Sequence, residues 1–460
     1  MGYTEHLNDI FDDMRDCALQ LMTNRDSFLR RFPILPPSIR LKDGRKIFVS
    51  QKSVEAIQAI ARTYRANLSQ WRKALTQKEL AELIARAIGS VMSTSSQAIE
   101  FPADLKVFWS GLRQKLAADL AELDRELTHL FGAWVIQGDT LKSIDIGPVR
   151  FSMRTIWASD ALSAGFLRGA EASGLLNHWQ FERAIDTFAT DDYDAFKVML
   201  VAGAVGPCPW ICSVRISGHS EVQSSQKGLL AARIALATIS LQWAHPSEQV
   251  EYTGLLYDVG PPRSRQTAMF GDDLFASALG ENALRLGLFL SSEDATEFVA
   301  RTAKHREIVG AALDTFLSTC PTGPKRLLQQ ALCHSLIWFG EACNEPLEFM
   351  AVVKFVAALD TLAKGRGADG ICKLVQRRYP VGDMNAPFWN DGMSAKELVK
   401  QIYETGRSQI VHGTHPGLTD DLEQVRVRAE ALATLMLCAC ISWLDTYTGP
   451  DDLDAFANSG

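Results

Sequence analysis

Two side chains in the C-terminal third, Arg407 and His412, are of the types that cleave a phosphodiester without a metal ion. Such cleavage of RNA removes a proton from the ribose 2′-hydroxyl, protonates the leaving 5′-oxygen and stabilises the charge that develops on the phosphate. Histidine suits the proton transfers because it titrates near neutral pH. Arginine stays charged, and its planar fork matches phosphate oxygens. The pair therefore has the chemistry of a metal-independent ribonuclease.

The spacing of the pair decides whether both side chains can reach one phosphate. Five positions along a continuous α-helix amount to about 500°, which places the side chains about 140° apart. We expect Gly406, Gly413 and Pro416 to break the helix, because glycine permits sharp turns and proline cannot continue a helix. Arg407 and His412 would then lie at an edge between helix and loop. Two copies related by a twofold axis would supply two arginines and two histidines around one phosphodiester, which predicts a homodimer.

Two segments of the chain match one known family. The segment Ile402–Gly413 resembles the signature of HEPN domains, especially of the ApeA-like branch found in bacterial defence proteins. The segment Phe355–Leu362 resembles the upstream bundle helix of the same branch, in which an Ala-Leu-acid triplet recurs and which here has Asp360 as the acid. The resemblance covers residues 322–447, under a third of the chain.

HEPN domains are all-α bundles that commonly dimerise and cleave RNA without a metal, so the resemblance implies Arg407 and His412 as the active pair, with no cofactor. Three further residues of the matching segments are implied as supporting groups: Ser408, Asp360 and Tyr403. The resemblance suggests phage defence or toxin-like growth arrest as the setting, with a phage-derived or nucleotide trigger. HEPN toxins paired with a nucleotidyltransferase antitoxin carry a tyrosine where Thr414 stands here, so we do not expect that form of regulation.

The charge around the pair differs from that of the whole chain. Thr361 to Ile410 carries eight basic and five acidic residues, whereas the chain has a net charge of −7. This local excess of positive charge favours a surface that holds an RNA backbone, with unpaired bases stacked on aromatic rings. The basic candidates are Arg377, Arg378, Lys396 and Lys400, and the aromatic ones are Trp389, Phe388 and Tyr379. The alternative is a solvated segment that only connects two helices.

The overall composition sets broad limits. The chain has 460 residues, 47% of them hydrophobic and 22% charged, which excludes collagenous, low-complexity and wholly disordered classes. The net charge of −7 excludes a uniformly basic protein that coats nucleic acid. Nine scattered cysteines indicate reduced thiols in a cytosolic protein. We expect no signal peptide, because Met1 to Arg15 already carries four acidic side chains. We expect no membrane segment, because the apolar run Ala429–Leu444 is shorter than a bilayer span of roughly 20 residues.

The fold class predicted from these patterns is mainly α, with a small α+β middle domain and an all-α, HEPN-like C-terminal bundle. The domains are a helical segment 1–137, an α/β segment 138–310 that acts as a sensor or regulator, the bundle 311–448 and a frayed acidic tail 449–460. Helical spacing predicts one long amphipathic helix over Leu105–Phe131 and another helix over Gly228–Trp243. β-Branched and aromatic runs predict strands at Lys46–Val49, Ile144–Phe151, Trp210–Ile216 and Val250–Tyr257.

Three other groups of residues carry weaker signals. Cys208 and Cys212 have no further ligands at zinc spacing, so we interpret them as ordinary thiols. The loop Ser217–Gly228 lies where a phosphate loop would lie but lacks its Gly-Lys-Ser/Thr ending. His334 lies among apolar residues of a helix and is typical of a packed histidine. A second hypothesis for the whole chain is a non-catalytic sensor or assembly protein that binds RNA or a nucleotide.

Overall fold

The computed structural model describes residues 2–30, 37–67, 74–92, 101–138, 141–181, 193–258, 265–271, 274–280, 285, 287–379, 381–414 and 422–459. The protein is mainly helical, with 64% helix and 10% strand, and this confirms the predicted mainly α class with a small sheet region. The chain forms two compact units, one of Met1–Leu127 with Ile216–Gln226 and the other of Thr128–Arg215 with Lys227–Gly460.

The first unit has helices and a short hairpin around one hydrophobic core. Its elements are α1 (Tyr3–Thr23), α2 (Arg25–Arg30), β1 (Ser38–Arg40), β2 (Lys46–Phe48), α3 (Gln51–Asn67), α4 (Gln77–Val91) and α5 (Leu105–Ala121). β1 and β2 are antiparallel, with Ile39 opposite Ile47, so the short strand predicted at Lys46 is confirmed. The core face of α4 has the spacing expected of an amphipathic helix: Leu80, Leu83, Ile84, Ala87 and Ile88 are buried.

The single long helix predicted over Leu105–Phe131 is wrong. α5 ends at Ala121, and after a short 3₁₀ turn the chain enters strand β3 (Leu127–Trp134). The reason is tertiary: β3 lies inside a five-stranded sheet, where Ala133 and Trp134 pair with a neighbouring edge strand. Gly132 fits this place because a Cβ there would lie 2.3 Å from the Val205 carbonyl oxygen. Sheet pairing therefore overrides a helical pattern of leucines.

The second unit begins with this sheet and the helices around it. Its elements continue as β4 (Ile136–Gln137), β5 (Ser143–Ile146), β6 (Val149–Met153), α6 (Arg154–Ser163), α7 (Gly169–Phe181), α8 (Tyr193–Val205), β7 (Trp210–Ile216), α9 (Glu221–Ser240), α10 (Pro246–Gln249), β8 (Gly254–Leu255), β9 (Arg265–Gly271), β10 (Leu274–Gly280) and β11 (Leu288–Phe289). The sheet order is β5-β6-β7-β3-β8, while β9 pairs with β10 and β11 with β4. The first six residues of α9, 221–226, belong to the first unit.

Two of the predicted strands differ in extent from the structure. Ile144–Phe151 is not one strand but the hairpin β5–β6, in which Ile146 faces Val149 across a turn. Gly147 makes this turn with a φ of +57°, and its backbone packs against that of Gly310, where a side chain on either residue would clash. Only two residues of the strand predicted over Val250–Tyr257 are extended, as β8. The prediction for Trp210–Ile216 is confirmed by β7.

The C-terminal part is a set of packed helices. Its elements are α11 (Ser292–Leu317), α12 (Arg326–Cys343), α13 (Glu348–Leu362), α14 (Gly367–Arg378), α15 (Ala395–Lys400), a π-helical stretch Gln401–Ser408, here called the π segment, α16 (Gln409–Val411), α17 (Glu423–Thr446) and α18 (Ala455–Asn458). α13 packs against α12, α17 and the π segment. Among the described helices, α17 alone is long and apolar enough to cross a membrane, and half of its most apolar stretch is buried in the protein.

The acidic tail is not frayed, as its composition predicts, but docked. The carboxylate of Asp451 accepts hydrogen bonds from the backbone N–H groups of Leu327, at 2.9 and 3.0 Å, and Leu328, at 3.2 Å. It thereby satisfies N–H groups at the start of α12 that have no partner within the helix. α18 follows and packs against α14, with Phe456 fully buried. Burial of this aromatic ring outweighs the acidic character of the segment.

Candidate functional site

The helix that carries Arg407 and His412 is continuous, which corrects the predicted break at Gly406. The chain stays helical from Ala395 through Val411, first as α15, then as the π segment and then as α16. Gly406 is there for close packing, because a Cβ at this position would lie 2.5 Å from Cγ1 of Val352 on α13. The helix does end near Gly413, the second glycine that was predicted to break it, and the φ of Gly413 is +67°. Pro416 lies outside the described residues.

Arg407 is held by two side chains that the sequence also singled out. Its Nη1 lies 3.1 Å from Oδ2 of Asp360 on α13 and donates a hydrogen bond of 2.9 Å to the hydroxyl of Tyr403. The guanidinium carbon stands 5.2 Å from the centre of the Tyr403 ring, within cation–π range. The two segments that carry the family resemblance are therefore joined by a direct contact between Asp360 and Arg407.

Asp360 is in turn fixed by the loop between α13 and α14. Its Oδ1 accepts a hydrogen bond of 3.0 Å from the N–H of Gly367, and its backbone carbonyl accepts one of 2.7 Å from Gly365. Lys364, Gly365 and Gly367 all have left-handed backbone conformations, with φ of 59°, 68° and 65°. The sequence analysis did not assign these loop groups a role. The signal that could have found them is a pair of glycines five and seven positions after a helical aspartate.

His412 lies at the C-terminal end of the same helix and is exposed. The backbone N–H of His412 donates a hydrogen bond of 3.0 Å to the backbone carbonyl of Ser408, so Ser408 contributes to the helix through its backbone. The side chain of Arg407 points to Asp360 on the neighbouring helix, whereas among the described residues no side-chain hydrogen bond or ion pair holds the imidazole of His412. Within one chain, the guanidinium of Arg407 is therefore held against α13, while the imidazole of His412 lies exposed at the helix end.

The basic residues around this helix fall into two groups. Arg377, Lys396 and Lys400 are exposed, and the ammonium group of Lys400 lies 3.9 Å from the carboxylate of Glu404. Arg378 instead belongs to the packing of the tail: its Nε donates to the carbonyl of Phe456 at 2.7 Å, and its guanidinium stacks 4.0 Å from the Trp443 ring. Arg378 is therefore a structural anchor and does not join the other three on an open basic surface.

The aromatic candidates near this surface are partly packed. Tyr379 and Phe388 contact each other edge to face, with ring centres 5.6 Å apart. Tyr379 remains 40% exposed, so one face of its ring stays open to solvent. Of the aromatic residues considered for stacking on bases, Tyr379 thus has the most direct support from its exposure.

In the structure, the groups that carried weaker signals in the sequence are buried, hydrogen-bonded or in contact with an aromatic ring. Burial raises the pKa of Cys208 to about 12, which keeps this thiol protonated and unreactive. In the loop before α9, the Ser220 hydroxyl donates a hydrogen bond of 2.5 Å to Glu79. Burial lowers the pKa of His334, whose ring meets Phe316 edge to face. Within the described ranges, no group of three or more His, Cys, Asp or Glu side chains is placed to hold a metal ion.

Comparison with known proteins identified no family model, no curated protein and no solved structure that this chain matches. The resemblance to HEPN domains therefore stays a prediction from the two sequence segments. The contact that bears on it is the pairing of Asp360 with Arg407, because it brings one residue of each segment together.

Proposed function

We propose that this protein is a metal-independent endoribonuclease of the HEPN type, which acts as a homodimer in phage defence or growth arrest in the cytoplasm. The observation that carries the proposal is the anchoring of Arg407 by Asp360 and Tyr403. The side chain of Arg407 keeps 30% of its surface exposed. An arginine that is oriented in advance and still reachable can bind a phosphate with little loss of entropy.

The proposed chemistry requires two copies of the chain. One histidine takes the proton of the ribose 2′-hydroxyl, and the histidine of the second copy gives a proton to the leaving 5′-oxygen. The two copies of Arg407 stabilise the additional negative charge on the phosphate. A single chain offers one copy of each of these two side chains, so a composite site between copies is the arrangement that supplies both pairs.

RNA would be held by the open basic residues Arg377, Lys396 and Lys400, with Tyr379 stacking on an unpaired base. We further propose that the remaining part of the chain restrains the nuclease until a phage-derived protein or a nucleotide binds. Replacing Lys396 and Lys400 by glutamate is expected to weaken RNA binding and to lower its dependence on salt.

The alternative function is a non-catalytic protein that binds RNA or a nucleotide. The observation that favours it is the pairing of Arg407 with Asp360, because the carboxylate offsets the positive charge offered to a phosphate. This alternative predicts RNA binding that weakens with salt and with loss of Arg407, and no cleaved product under any activating condition.

The first test expresses the wild-type chain and His412→Ala in parallel and maps new RNA ends by sequencing. We expect cleavage from the wild type and none from His412→Ala, with unchanged dimer mass. His245→Ala is the matched control, because His245 is also exposed. This histidine stands at the start of the short helix α10 and is far in sequence from Arg407 and His412. Cleavage retained in His412→Ala contradicts the assignment.

A further inference from the structure

A cavity of about 290 Å³ lies in the second unit between α9, α12 and the short strand β8, and no role has been assigned to it so far. Its base is formed where α9 and α12 approach closely: a Cβ on Gly340 would lie 3.3 Å from that of Ala237. The apolar part of its wall comes from Leu236, Ala237, Val250, Ile337 and Phe339. The charged part comes from Arg233, Asp258, Arg285 and Glu341.

Arg233 is already compensated by acidic groups. Its Nη2 lies 2.5 Å from Oδ1 of Asp258 and its Nε lies 3.2 Å from both carboxylate oxygens of that residue. Its Nη1 lies 3.4 Å from Glu341, on α12. This arrangement is a bidentate pair with a second carboxylate beside it, and it leaves Arg233 no spare positive charge.

Arg285 is different, because its hydrogen-bond partners are neutral. Its Nη1 donates to the backbone carbonyl of Thr253, and its Nη2 donates to the side-chain oxygen of Asn344 at 3.3 Å. Among the described residues, no carboxylate lies within 4 Å of this guanidinium. Burial lowers the pKa of Arg285, and the charge of Asp258 only partly opposes this effect. A cation in such surroundings is costly unless an anion pairs with it.

The position of the Arg285 guanidinium is set by β8. A Cβ on Gly254 would lie 1.7 Å from Nη1 of Arg285, so the planar group rests directly on the glycine backbone. The fork has five N–H donors, of which two have the neutral partners named above, and donors remain for a ligand. The arginine is thus oriented in advance against the glycine backbone, and a side chain at position 254 would displace the guanidinium from this place.

We propose that this cavity binds a small organic oxyanion, with Arg285 gripping its carboxylate or phosphate group and the apolar wall covering the uncharged remainder. The volume is near the lower end of about 300–1,000 Å³ for small-molecule pockets, so the ligand is smaller than a dinucleotide. Carboxylate and phosphate share the geometry that an arginine fork recognises, two oxygens at the spacing of two parallel N–H groups. The proposal is independent of the proposed nuclease, since the cavity shares no residue with the site around Arg407.

The test is isothermal titration calorimetry of the full-length protein with benzoate and with phenyl phosphate at constant ionic strength. Benzyl alcohol, which has the same ring without a charge, and inorganic phosphate, which has the charge without a ring, separate the two contributions. We expect saturable binding of at least one of the two aromatic anions. Tighter binding of benzoate identifies the ligand class as carboxylates, and tighter binding of phenyl phosphate identifies it as phosphate esters.

Three variants connect the binding to the arginine. Arg285→Leu and Gly254→Ala are expected to weaken it at least tenfold, the second because the new methyl group displaces the guanidinium. Arg285→Lys keeps the charge without the fork and covers the case in which Arg285→Leu does not fold. Arg215→Leu is the control, because it removes an exposed arginine that does not line the cavity. Circular dichroism without ligand reports on folding. Absence of saturable binding to the wild type, or equal binding by all folded variants, overturns the proposal.

Discussion

The carboxylate of Asp360 lies 3.1 Å from the guanidinium of Arg407, and this contact joins helix α13 to the π segment. Asp360 is 11% exposed and Arg407 30%, so the acid lies on the inner side and the arginine keeps an edge in solvent. The same carboxylate accepts the N–H of Gly367, which ties the loop before α14 to this pair. One aspartate thus organises a helix, a loop and the residue proposed to bind phosphate.

The Asp360–Arg407 pair is expected to contribute more than a surface ion pair. A double-mutant cycle with Asp360→Ala and Arg407→Ala, followed by urea unfolding, should give a coupling free energy of about 1–3 kcal/mol, because the acid is largely shielded from water. The exposed pair of Asp12 and Arg15, with side chains 62% and 52% exposed, is the control and should give about 0.2–0.5 kcal/mol. Equal coupling in both pairs would show that the Asp360 contact has no special strength.

Gly406 is expected to tolerate no side chain. Gly406→Ala should lower the free energy of unfolding by about 1–3 kcal/mol, because the added methyl group meets Val352 and forces α13 and the π segment apart. Gly203→Ala on α8 is the matched control, since a Cβ there meets no atom within 4 Å. It should raise stability by roughly 0.5–1 kcal/mol, the usual gain from alanine in a helix. Chemical denaturation of both variants distinguishes the packing effect from the general propensity.

The stability of the first unit should depend on the charge of Asp13. Burial by itself would raise the pKa of Asp13, but hydrogen bonds from Ser50 and Ser53 outweigh it and lower the pKa below the ordinary 3.8. The Ser53 hydroxyl lies 2.6 Å from Oδ2, and the Ser50 N–H lies 2.8 Å from the same oxygen. A depressed carboxyl pKa stabilises the folded state above about pH 4 and loses this contribution as the pH falls through the unfolded and then the folded value.

Asp13→Asn tests this dependence. Urea unfolding between pH 7 and pH 3 should show a steeper loss of stability for the wild type than for the variant below about pH 4, because the amide has no proton to gain. At pH 7 the variant should be the less stable protein, since the amide nitrogen cannot accept the bonds that the carboxylate accepts. Parallel pH profiles for the two proteins would remove Asp13 as the cause.

The docked tail should stabilise α12 through Asp451. Asp451→Ala removes the acceptor for the N–H groups of Leu327 and Leu328 and should lower the free energy of unfolding by about 1 kcal/mol, as for other lost helix caps. Asp452→Ala is the neighbouring control. Asp452 is 58% exposed, and its carboxylate pairs with Lys364 at 3.3 Å and accepts the backbone N–H of Asp454 at 3.0 Å, so this variant removes contacts of the tail but no helix cap, and the expected change is smaller than for Asp451→Ala. Thermal unfolding of both variants decides whether the tail acts through this cap.

Part of the candidate site could be predicted from the sequence. The residue type points to Arg407, the resemblance of the two segments implies Asp360 and Tyr403 as supporting groups, and the structure places both in contact with Arg407. The orientation of Arg407 relative to His412 was not predictable. It depends on whether Gly406 breaks the helix, and in the structure Gly406 instead packs closely against Val352 on α13, more than fifty positions earlier in the chain.

The elements of the fold also differ in whether the sequence alone predicts them. Apolar residues three and four positions apart define the buried face of α4, and the alternating, β-branched run at Trp210–Ile216 defines β7, because both patterns arise from the backbone geometry of a single element. The strand at Leu127–Trp134, the packing of Gly147 on Gly310 and the docked Asp451 required the tertiary structure. Their partners are distant along the chain. The spacing of leucines indicates the periodicity of a single element. Sheet hydrogen bonds, glycine contacts and caps between segments form only once the chain is folded.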